Sequence, residues 1–496
     1  MMIEKSPFES ASGSEIFRSP KVLAGITIVY LLMALVLSKV GLVSGFALAG
    51  LPFLMLFVVL LFRFPIIGLY TAVFMAFVLL GIGRYVKGVP VGLALDALLI
   101  ATYIALIFNR FYSKVDWSPA KKDITVLAII WFGYSLFQIV NPEANSFSAW
   151  FSGRGIGLYM LLVVPLTLLF INSNQKLNIF LYLWGGMAIL VTLKGIMQLQ
   201  LGVDAWEKAW LDEGNYKTHI LFGQLRAFSF LSDAGQFGAN QAYSGVMATI
   251  MIMAMKNWKS KLFFAVVAVL SFYGMVISGT RGAISIPLIG FSAFFVLRKN
   301  KAVMLSGFFL LIIVFYFFKF TTIGQGNYQI RRMRSAFDTN DASFQVRLDN
   351  QRILRAYMAS RPFGGGIGHG GVKAQKYLPN AYLSQIPTDS GYVLIWVEQG
   401  IVGLIMHLLI LFYVVGKASY KIMFRIRDPN LKLKMAALVS GMLGIMVANY
   451  GNAVLYQMPT SILFYISMAL IMNMKSFESE VPETNQADIY LKSSND

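Results

Sequence analysis

The chain contains no cysteine, which excludes disulfide bonds, thiolate metal sites and a cysteine nucleophile. Charge is also scarce, because Asp, Glu, Lys and Arg make up 13% of the 496 residues, against about 25% in a typical soluble protein. The sequence has no Walker phosphate loop, no dinucleotide-binding fingerprint and no His/Glu spacing of a metal site. We therefore expect no bound nucleotide, cofactor or catalytic metal.

Hydrophobic residues make up 57% of the chain, and they fall into apolar runs of about 20 residues separated by short polar segments. Runs of this length predict membrane-spanning helices. About 14 such runs lie near residues 22–40, 45–62, 65–82, 90–108, 123–140, 155–171, 177–198, 239–255, 262–278, 282–297, 302–319, 390–415, 433–449 and 456–474. The sequence thus predicts an all-α polytopic membrane protein with about 12–14 transmembrane helices.

The distribution of basic residues predicts the orientation of these helices. Lys and Arg cluster in alternate short loops, which the positive-inside rule assigns to the cytoplasm. The prediction places a cytoplasmic segment at 1–21, a polytopic domain at 22–475 and a disordered cytoplasmic tail at 476–496. The run at 22–40 is expected to be a retained signal anchor. The formal net charge of +19 therefore indicates contact with membrane lipids, not with nucleic acid.

Two long loops, 199–238 and 320–389, are predicted to lie outside, in the periplasm. The second is rich in arginine, including Arg347 and Arg352. Long loops escape the positive-inside rule, so this excess is compatible with the topology. One interpretation is a solvated basic face or attraction to lipid headgroups. The other is a site for an anionic substrate, in which guanidinium groups bind phosphate oxygens in pairs.

Two further arginines lie close to predicted helix ends. Arg281, in Ser-Gly-Thr-Arg-Gly-Ala, opens an apolar run at the outer face. An arginine at membrane depth usually lines a cavity or binds a ligand, although snorkelling to headgroups is an alternative. Arg226 precedes another run within a stretch of aromatic, glycine and polar residues. A structural ion pair with Asp233 explains Arg226 as well as ligand binding does.

Candidate acids and bases flank the last long loop. Asp389 precedes the run at 390–415, where a carboxylate typically caps a helix. Glu398 lies inside that apolar run and needs a partner. For Glu398, as for Asp96 and Lys194, internal ion pairing is as good an explanation as catalysis. His369, in Gly-Ile-Gly-His-Gly-Gly, is a candidate general base, although a lone loop histidine is usually solvated.

Three segments together resemble the bacterial O-antigen ligase and O-antigen polymerase family of membrane glycosyltransferases. The first is Ser-Gly-Thr-Arg281-Gly-Ala. The second is Arg347 followed by Pro362-Phe-Gly-Gly-Gly-Ile-Gly. The third is Asp389-Ser-Gly-Tyr392 with Glu398-Gln-Gly-Ile-Val-Gly403, which is similar to the family signature His-Asn-x-Tyr…Glu-x-Gly-x-x-Gly. The motifs cover about residues 220–410, and the family histidine is replaced by Asp389.

The resemblance implies a GT-C-like enzyme of the bacterial inner membrane with its active site facing the periplasm. Such enzymes transfer a glycan from undecaprenyl diphosphate to an acceptor hydroxyl, with inversion and without a metal. The acceptor is a growing glycan or the lipid A core of lipopolysaccharide. The resemblance implies diphosphate binding by Arg226, Arg281, Arg347 and Arg352, and it leaves the catalytic role open among Asp389, His369 and Glu398. A polysaccharide flippase without glycosyl transfer is the alternative.

Overall fold

The computed structural model describes residues 42–86, 90–109, 115–337 and 342–478, together with Pro20 and Thr27. The regular structure of these residues is helical except for one short hairpin, in which Ile220–Leu221 (β1) pairs antiparallel with Gln224–Leu225 (β2). The prediction of an all-α polytopic membrane protein is confirmed. The first predicted run, 22–40, and the tail beyond Glu478 lie outside the described residues.

The helices of the first half include those of the long segment 199–238. In chain order they are α1 (Leu42–Arg63), α2 (Ile66–Tyr85), α3 (Gly92–Asn109), α4 (Asp123–Phe137), α5 (Phe147–Gly153), α6 (Gly155–Phe170), α7 (Asn174–Gln200), α8 (Ala205–Trp210), α9 (Tyr216–His219) and α10 (Ala234–Ala254).

The helices of the second half include the arginine-rich segment. They are α11 (Trp258–Ile277), α12 (Ser285–Leu297), α13 (Lys301–Phe320), α14 (Tyr328–Arg334), α15 (Ala342–Met358), α16 (Tyr382–Gln385), α17 (Gly391–Phe424), α18 (Pro429–Gly451), α19 (Thr460–Met472) and α20 (Met474–Glu478).

Among the described residues, 7 helices are long and apolar enough to cross a membrane, and the pair α5–α6, bent by 42°, makes up to 8. Four shorter apolar helices accompany them: Gly50–Arg63, Gly92–Phe108, Arg281–Leu297 and Thr460–Met472. Each predicted run after the first coincides with a described helix. The protein is therefore a multi-pass membrane protein.

Helix α10 lies at the centre of the helical bundle and is buried along nearly its whole length. Some of its polar side chains form hydrogen bonds to neighbouring helices: Ser244 accepts a hydrogen bond from Trp184 Nε1 at 2.8 Å. Gln241 donates to the carbonyl of Ala188 at 3.2 Å. Gly245 allows close packing, since a Cβ there would lie 2.8 Å from the Phe272 ring. Small and hydrogen-bonding residues of this kind hold helices together in a membrane.

Two helix starts bring polar groups to the same region. Asp233 caps α10 by accepting from the Gln236 amide at 2.9 Å, so this helix begins five residues before the predicted run. Ser390 caps α17, accepting from the Val393 amide at 3.4 Å. The expectation that Asp389 caps this helix is wrong. Asp389 has a φ of 47°, a left-handed conformation that turns the chain before the cap.

Candidate active site

A cavity of about 1460 Å³ lies where several helix ends meet. It is bounded by the starts of α10 and α17, the turn before α12, the bend between α5 and α6, and the segment after α18. Its basic lining residues outnumber its acidic ones: Arg154, Lys217, Arg226, Arg281, Arg332, Arg347 and Lys373 against Asp233, Asp389 and Glu398. A cavity with this charge favours an anionic ligand.

Arg226 and Arg332 are both held on the turn formed by residues 278–280. Arg226 donates to the Ser278 carbonyl and to the Thr280 hydroxyl, each at 3.0 Å. Arg332 donates to the Gly279 carbonyl at 2.6 Å. Gly279 has a φ of 57°, and a Cβ there would lie 3.3 Å from the Arg332 side chain. Only glycine fits this turn without strain, and its carbonyls fix the two guanidinium groups side by side.

The electrostatics of Arg226 show how closely these cations are placed. Burial, together with the charges of Arg332 and Arg281, lowers the pKa of Arg226 to about 10, and the charge of Asp233 opposes this shift. Arg226 therefore stays charged at neutral pH. Three guanidinium groups that repel one another across a cavity form a site that an anion with several oxygens stabilises.

The predicted ion pair between Arg226 and Asp233 is not formed between these two described residues. The third contact of Arg226 is the Thr218 carbonyl, at 2.7 Å. The Asp233 carboxylate instead caps α10 and accepts from the Ser232 hydroxyl at 2.9 Å. The expected internal ion pairs do occur elsewhere: Asp96 pairs with Arg154, and Lys194 lies 3.0 Å from Glu207.

The other predicted arginines differ in their placement. Arg281 opens the turn into α12 and donates to the Ser335 hydroxyl at 3.3 Å. Arg347, on α15, lies with Nε 3.8 Å from Asp389 Oδ2, and both side chains are more than a third exposed. The side chain of Arg352 is 77% exposed and pairs with Asp349 at 2.9 Å. Arg281, Arg347 and Asp389 thus line the cavity, whereas Arg352 lies on the surface of α15.

The glycine segment after Pro362 and the break in α17 form one structural unit. Gly365 and Gly366 donate their amides to the carbonyls of Val397 and Glu398, at 2.8 and 2.9 Å. These carbonyls are available because Gly400, with a φ of 70°, interrupts the helix. A Cβ at Gly400 would overlap the carbonyl oxygen of Pro362. Two motifs that are separate in the sequence therefore interlock, and their contact sets the position of Glu398.

Glu398 and His369 are brought together on either side of this contact. Glu398 is 3% exposed and accepts from the Gly370 amide at 3.4 Å through Oε1. Its Oε2 has no partner among the described residues, and the residue lines the cavity. One oxygen of the Glu398 carboxyl is thus buried beside the cavity without a partner among the described residues.

The histidine is buried, so the expectation of a solvated loop residue is wrong. His369 is 4% exposed, and its Nδ1 lies 3.1 Å from the Ile367 carbonyl. That contact assigns the proton to Nδ1 and leaves a lone pair on Nε2, which has no partner among the described residues. Burial lowers the pKa of His369. The imidazole is therefore neutral, and it lies beside the cavity lining formed by Gly368 and Gly370.

One feature of the site was missed in the sequence: two membrane helices hold the segment between Arg226 and Asp233. Arg84 of α2 donates to the Ser229 carbonyl at 2.6 Å and also to the Leu231 carbonyl. Gln198 of α7 accepts from the Phe228 and Ser229 amides at 3.1 and 2.8 Å. The signal that could have found this contact is Arg84, an arginine two residues beyond the end of an apolar run.

Arg84 is itself enclosed. It is 6% exposed, and its guanidinium lies 4.6 Å from the ring centroids of both Trp210 and Phe228. Arg332 is a second site residue that the sequence does not single out, because it is one of several arginines in the segment 320–389. Among the described residues, no group of three or more His, Asp or Glu side chains is placed to hold a metal ion.

The fold and the site together define a multi-pass membrane protein with a cationic cavity at one end of its helical bundle. Residues 242–408 match the family model described as O-antigen ligase. The chain is also 23% identical over 335 residues to an O-antigen polymerase of Salmonella muenchen, which covers 65% of this chain and 81% of that protein. The chain is thus similar to proteins of the O-antigen ligase and O-antigen polymerase family.

Proposed function

We propose that this protein transfers a glycan from undecaprenyl diphosphate to an acceptor hydroxyl, as a polymerase or ligase of O-antigen or exopolysaccharide. The proposal places it in the bacterial inner membrane, with the cavity open to the periplasm and without metal or cofactor. The observation that carries it is the convergence of Arg226, Arg281 and Arg332 on one cavity. A diphosphate offers the several anionic oxygens that such a group binds.

The chemistry follows from the leaving group. The acceptor oxygen attacks the anomeric carbon, the bond from that carbon to the diphosphate oxygen breaks, and the lipid diphosphate leaves with the electron pair. Negative charge develops on the diphosphate as it leaves. Arginines that are already fixed around the cavity stabilise that charge without reorganising. Arg226 and Arg332 are fixed in this way by the turn at 278–280.

The acceptor hydroxyl must lose its proton as it attacks, and we propose Asp389 as the base that takes it. Asp389 lines the cavity with a side chain that is 40% exposed, facing Arg347 at 3.8 Å. Glu398 lines the cavity as well, and its buried Oε2 has no partner within the described part of the chain. His369 is neutral but lies behind the glycine turn. The geometry thus favours a carboxylate over the imidazole.

Three isosteric or near-isosteric variants distinguish the bases. Asp389→Asn, Glu398→Gln and His369→Gln each remove or alter one proton acceptor and retain side-chain size. We expect Asp389→Asn to abolish transfer from a lipid-diphosphate glycan while thermal stability stays at the wild-type value, because Ser390 and not Asp389 caps α17. If Asp389→Asn is active and Glu398→Gln is inactive, Glu398 is the base. If Asp389→Asn is active and His369→Gln is inactive, His369 is the base.

The acceptor distinguishes a polymerase from a ligase. The glycan profile of a deletion strain is the test: loss of long chains with a single capped repeat remaining indicates a polymerase. Polymer accumulating on the carrier lipid indicates a ligase, with the lipid A core as acceptor. Unchanged transfer in extracts, with glycan retained on the cytoplasmic side, would favour the flippase alternative.

The orientation has its own test, because the natural chain lacks cysteine. Single cysteines at Lys217 and Lys373, which line the cavity, are expected to react with an impermeant thiol reagent added from the periplasm. A cysteine at Lys259, in the first turn of α11 at the other end of the bundle, is expected to stay unlabelled in intact cells. If only Lys259→Cys were labelled, the orientation of the protein in the membrane would be the reverse of the proposed one.

A further inference from the structure

A second cavity, of about 480 Å³, lies at the other end of α17. Its lining consists of Lys417, Tyr420, Lys421, Arg425, Ile426, Met474, Lys475 and Glu478. At about 1.5 Å per helical residue, Lys421 lies about 35 Å along the helix from Glu398 in the main cavity. The two cavities are therefore at opposite faces of the membrane, and the second belongs to no step of the transfer reaction.

This second cavity, which we call the basic pocket, gathers more positive charge than its own acids neutralise. Lys417 is paired with Asp123, and Glu478 accepts from the Arg427 amide at 2.8 Å. Lys421 is repelled by the charges of Lys417 and Lys475. Within the described part of the chain, no carboxylate lies at salt-bridge distance from Lys421 or Lys475. The positive charges of Lys421 on α17 and Lys475 on α20 therefore favour the binding of an anion.

The rim of the basic pocket is apolar and aromatic. Tyr420 and Phe424 are 52% and 58% exposed, with ring centroids 5.3 Å apart. Lys299 lies 4.1 Å from the Phe424 ring centroid. Aromatic residues beside lysines are typical of the level where lipid headgroups meet acyl chains. A ligand here has an anionic head for the lysines and a hydrocarbon portion for the rings.

We propose that the basic pocket binds the headgroup phosphate of an anionic phospholipid, on the face of the membrane opposite the active site. The phosphate lies between Lys421, Arg425 and Lys475, and an acyl chain follows Tyr420 and Phe424. A charge-based site of this kind weakens as ionic strength rises. Basic pockets between helices on the cytoplasmic side are suited to such headgroups.

The test measures lipid binding by the purified full chain with phosphatidylglycerol and phosphatidylcholine as probes, by native mass spectrometry or thermal shift. The pocket variant is the double substitution Lys421→Gln and Lys475→Gln. The matched control is Lys259→Gln with Lys301→Gln, two exposed lysines at the same end of the bundle. Lys475→Gln alone, at an exposed position, keeps the test usable if the double variant is poorly expressed.

We expect the wild type and the control to retain phosphatidylglycerol in preference to phosphatidylcholine. The pocket variant is expected to bind phosphatidylglycerol about 30-fold more weakly, about fivefold for each lysine. Equal loss in the pocket variant and the control would overturn the proposal in favour of a diffuse basic face. Stabilisation by inorganic phosphate equal to that by the lipid would overturn the lipid assignment.

Discussion

Arg226 and Arg347, which belong to the two long segments 199–238 and 320–389, are held in opposite ways. Arg226, in the first, makes three hydrogen bonds to the chain, and its neighbours are clamped by Arg84 and Gln198 from inside the membrane. Arg347, in the second, is more than a third exposed and reaches Asp389 only at 3.8 Å. Arg226 is thus fixed by the chain, as Arg332 of the second segment is by the Gly279 carbonyl, whereas Arg347 is held loosely.

This difference suits the two halves of the proposed reaction. The diphosphate is the same in every cycle, so a fixed arginine group serves it best. The acceptor is a polymer end or a lipid-linked core, and it must enter and leave. Helix α15, which carries Arg347, packs on α17 through a small apolar cluster that includes Leu354, Met358 and Val397. The comparison yields four predictions, of which the first has the largest expected effect.

The clamp on the first segment is expected to be essential for stability. Arg84→Met keeps the volume of the side chain but leaves the buried carbonyls of Ser229 and Leu231 without a donor. Each unsatisfied carbonyl costs about 1–3 kcal/mol. Thermal unfolding in detergent is the measurement, and Arg63→Met, at the exposed end of α1, is the control. Equal melting temperatures for the two variants would show that the first segment does not depend on the clamp.

Arg226 and Arg347 are expected to respond differently when lysine replaces the planar guanidinium group. Arg226→Lys should reduce both turnover and thermal stability, because Ser278 and Thr280 lose their donors. Arg347→Lys should reduce turnover alone. In either variant, the loss of one transition-state contact raises the activation free energy by about 3 kcal/mol, which lowers the rate on the order of a hundredfold. The control is Arg355→Lys, on the exposed face of α15. The comparison fails if Arg347→Lys lowers stability more than Arg226→Lys does.

The contact between the glycine turn and α17 is expected to tolerate no side chain. Gly400→Ala meets the Pro362 carbonyl and forces alanine into a left-handed conformation, which costs about 1–2 kcal/mol before any clash. Gly416→Ala is the matched control on the same helix, since nothing lies within 4 Å of its Cβ position. Alanine there is expected to stabilise the helix by up to about 1 kcal/mol. Comparison of the two melting temperatures checks this, and equal values would contradict the interlock.

The smallest expected effect concerns the pH dependence of thermal stability, through His219 in the segment 199–238. His219 accepts from the Ala234 amide at 3.3 Å and contacts the Asn215 carbonyl at 2.9 Å, and burial lowers its pKa. The neutral form is thus favoured in the folded state. Its contribution to stability is present above the unfolded pKa of about 6.5 and is lost as the pH falls below it.

His219→Gln should therefore melt at temperatures that differ less between pH 7.5 and pH 5.5 than those of the wild type. His369 is retained in both proteins, so its own titration cancels in the comparison. A variant with an unchanged pH dependence would show that His219 is protonated in the folded protein or does not support α10.

The membrane helices were predictable because length and hydropathy alone determine them. The site was predictable only in part. Arg226, Arg281, Arg347, Asp389 and Glu398 all line one cavity, and their motifs indicated as much. Contacts between distant segments were not readable, such as the carbonyls of 278–280 that hold Arg332. The side of α15 on which Arg352 lies was not readable either, because the helix is polar on most of its surface.

The central claim is that the cavity arginines hold a lipid-linked diphosphate while its glycan is transferred. The most direct test uses purified protein with an undecaprenyl-diphosphate-linked glycan labelled in the phosphate, in the presence of chelator. We expect one carrier diphosphate to be released for each glycan transferred, and a rate on the order of a hundredfold lower in Arg281→Ala. Transfer without release of the carrier, or an Arg281→Ala variant as fast as the wild type, would contradict the account.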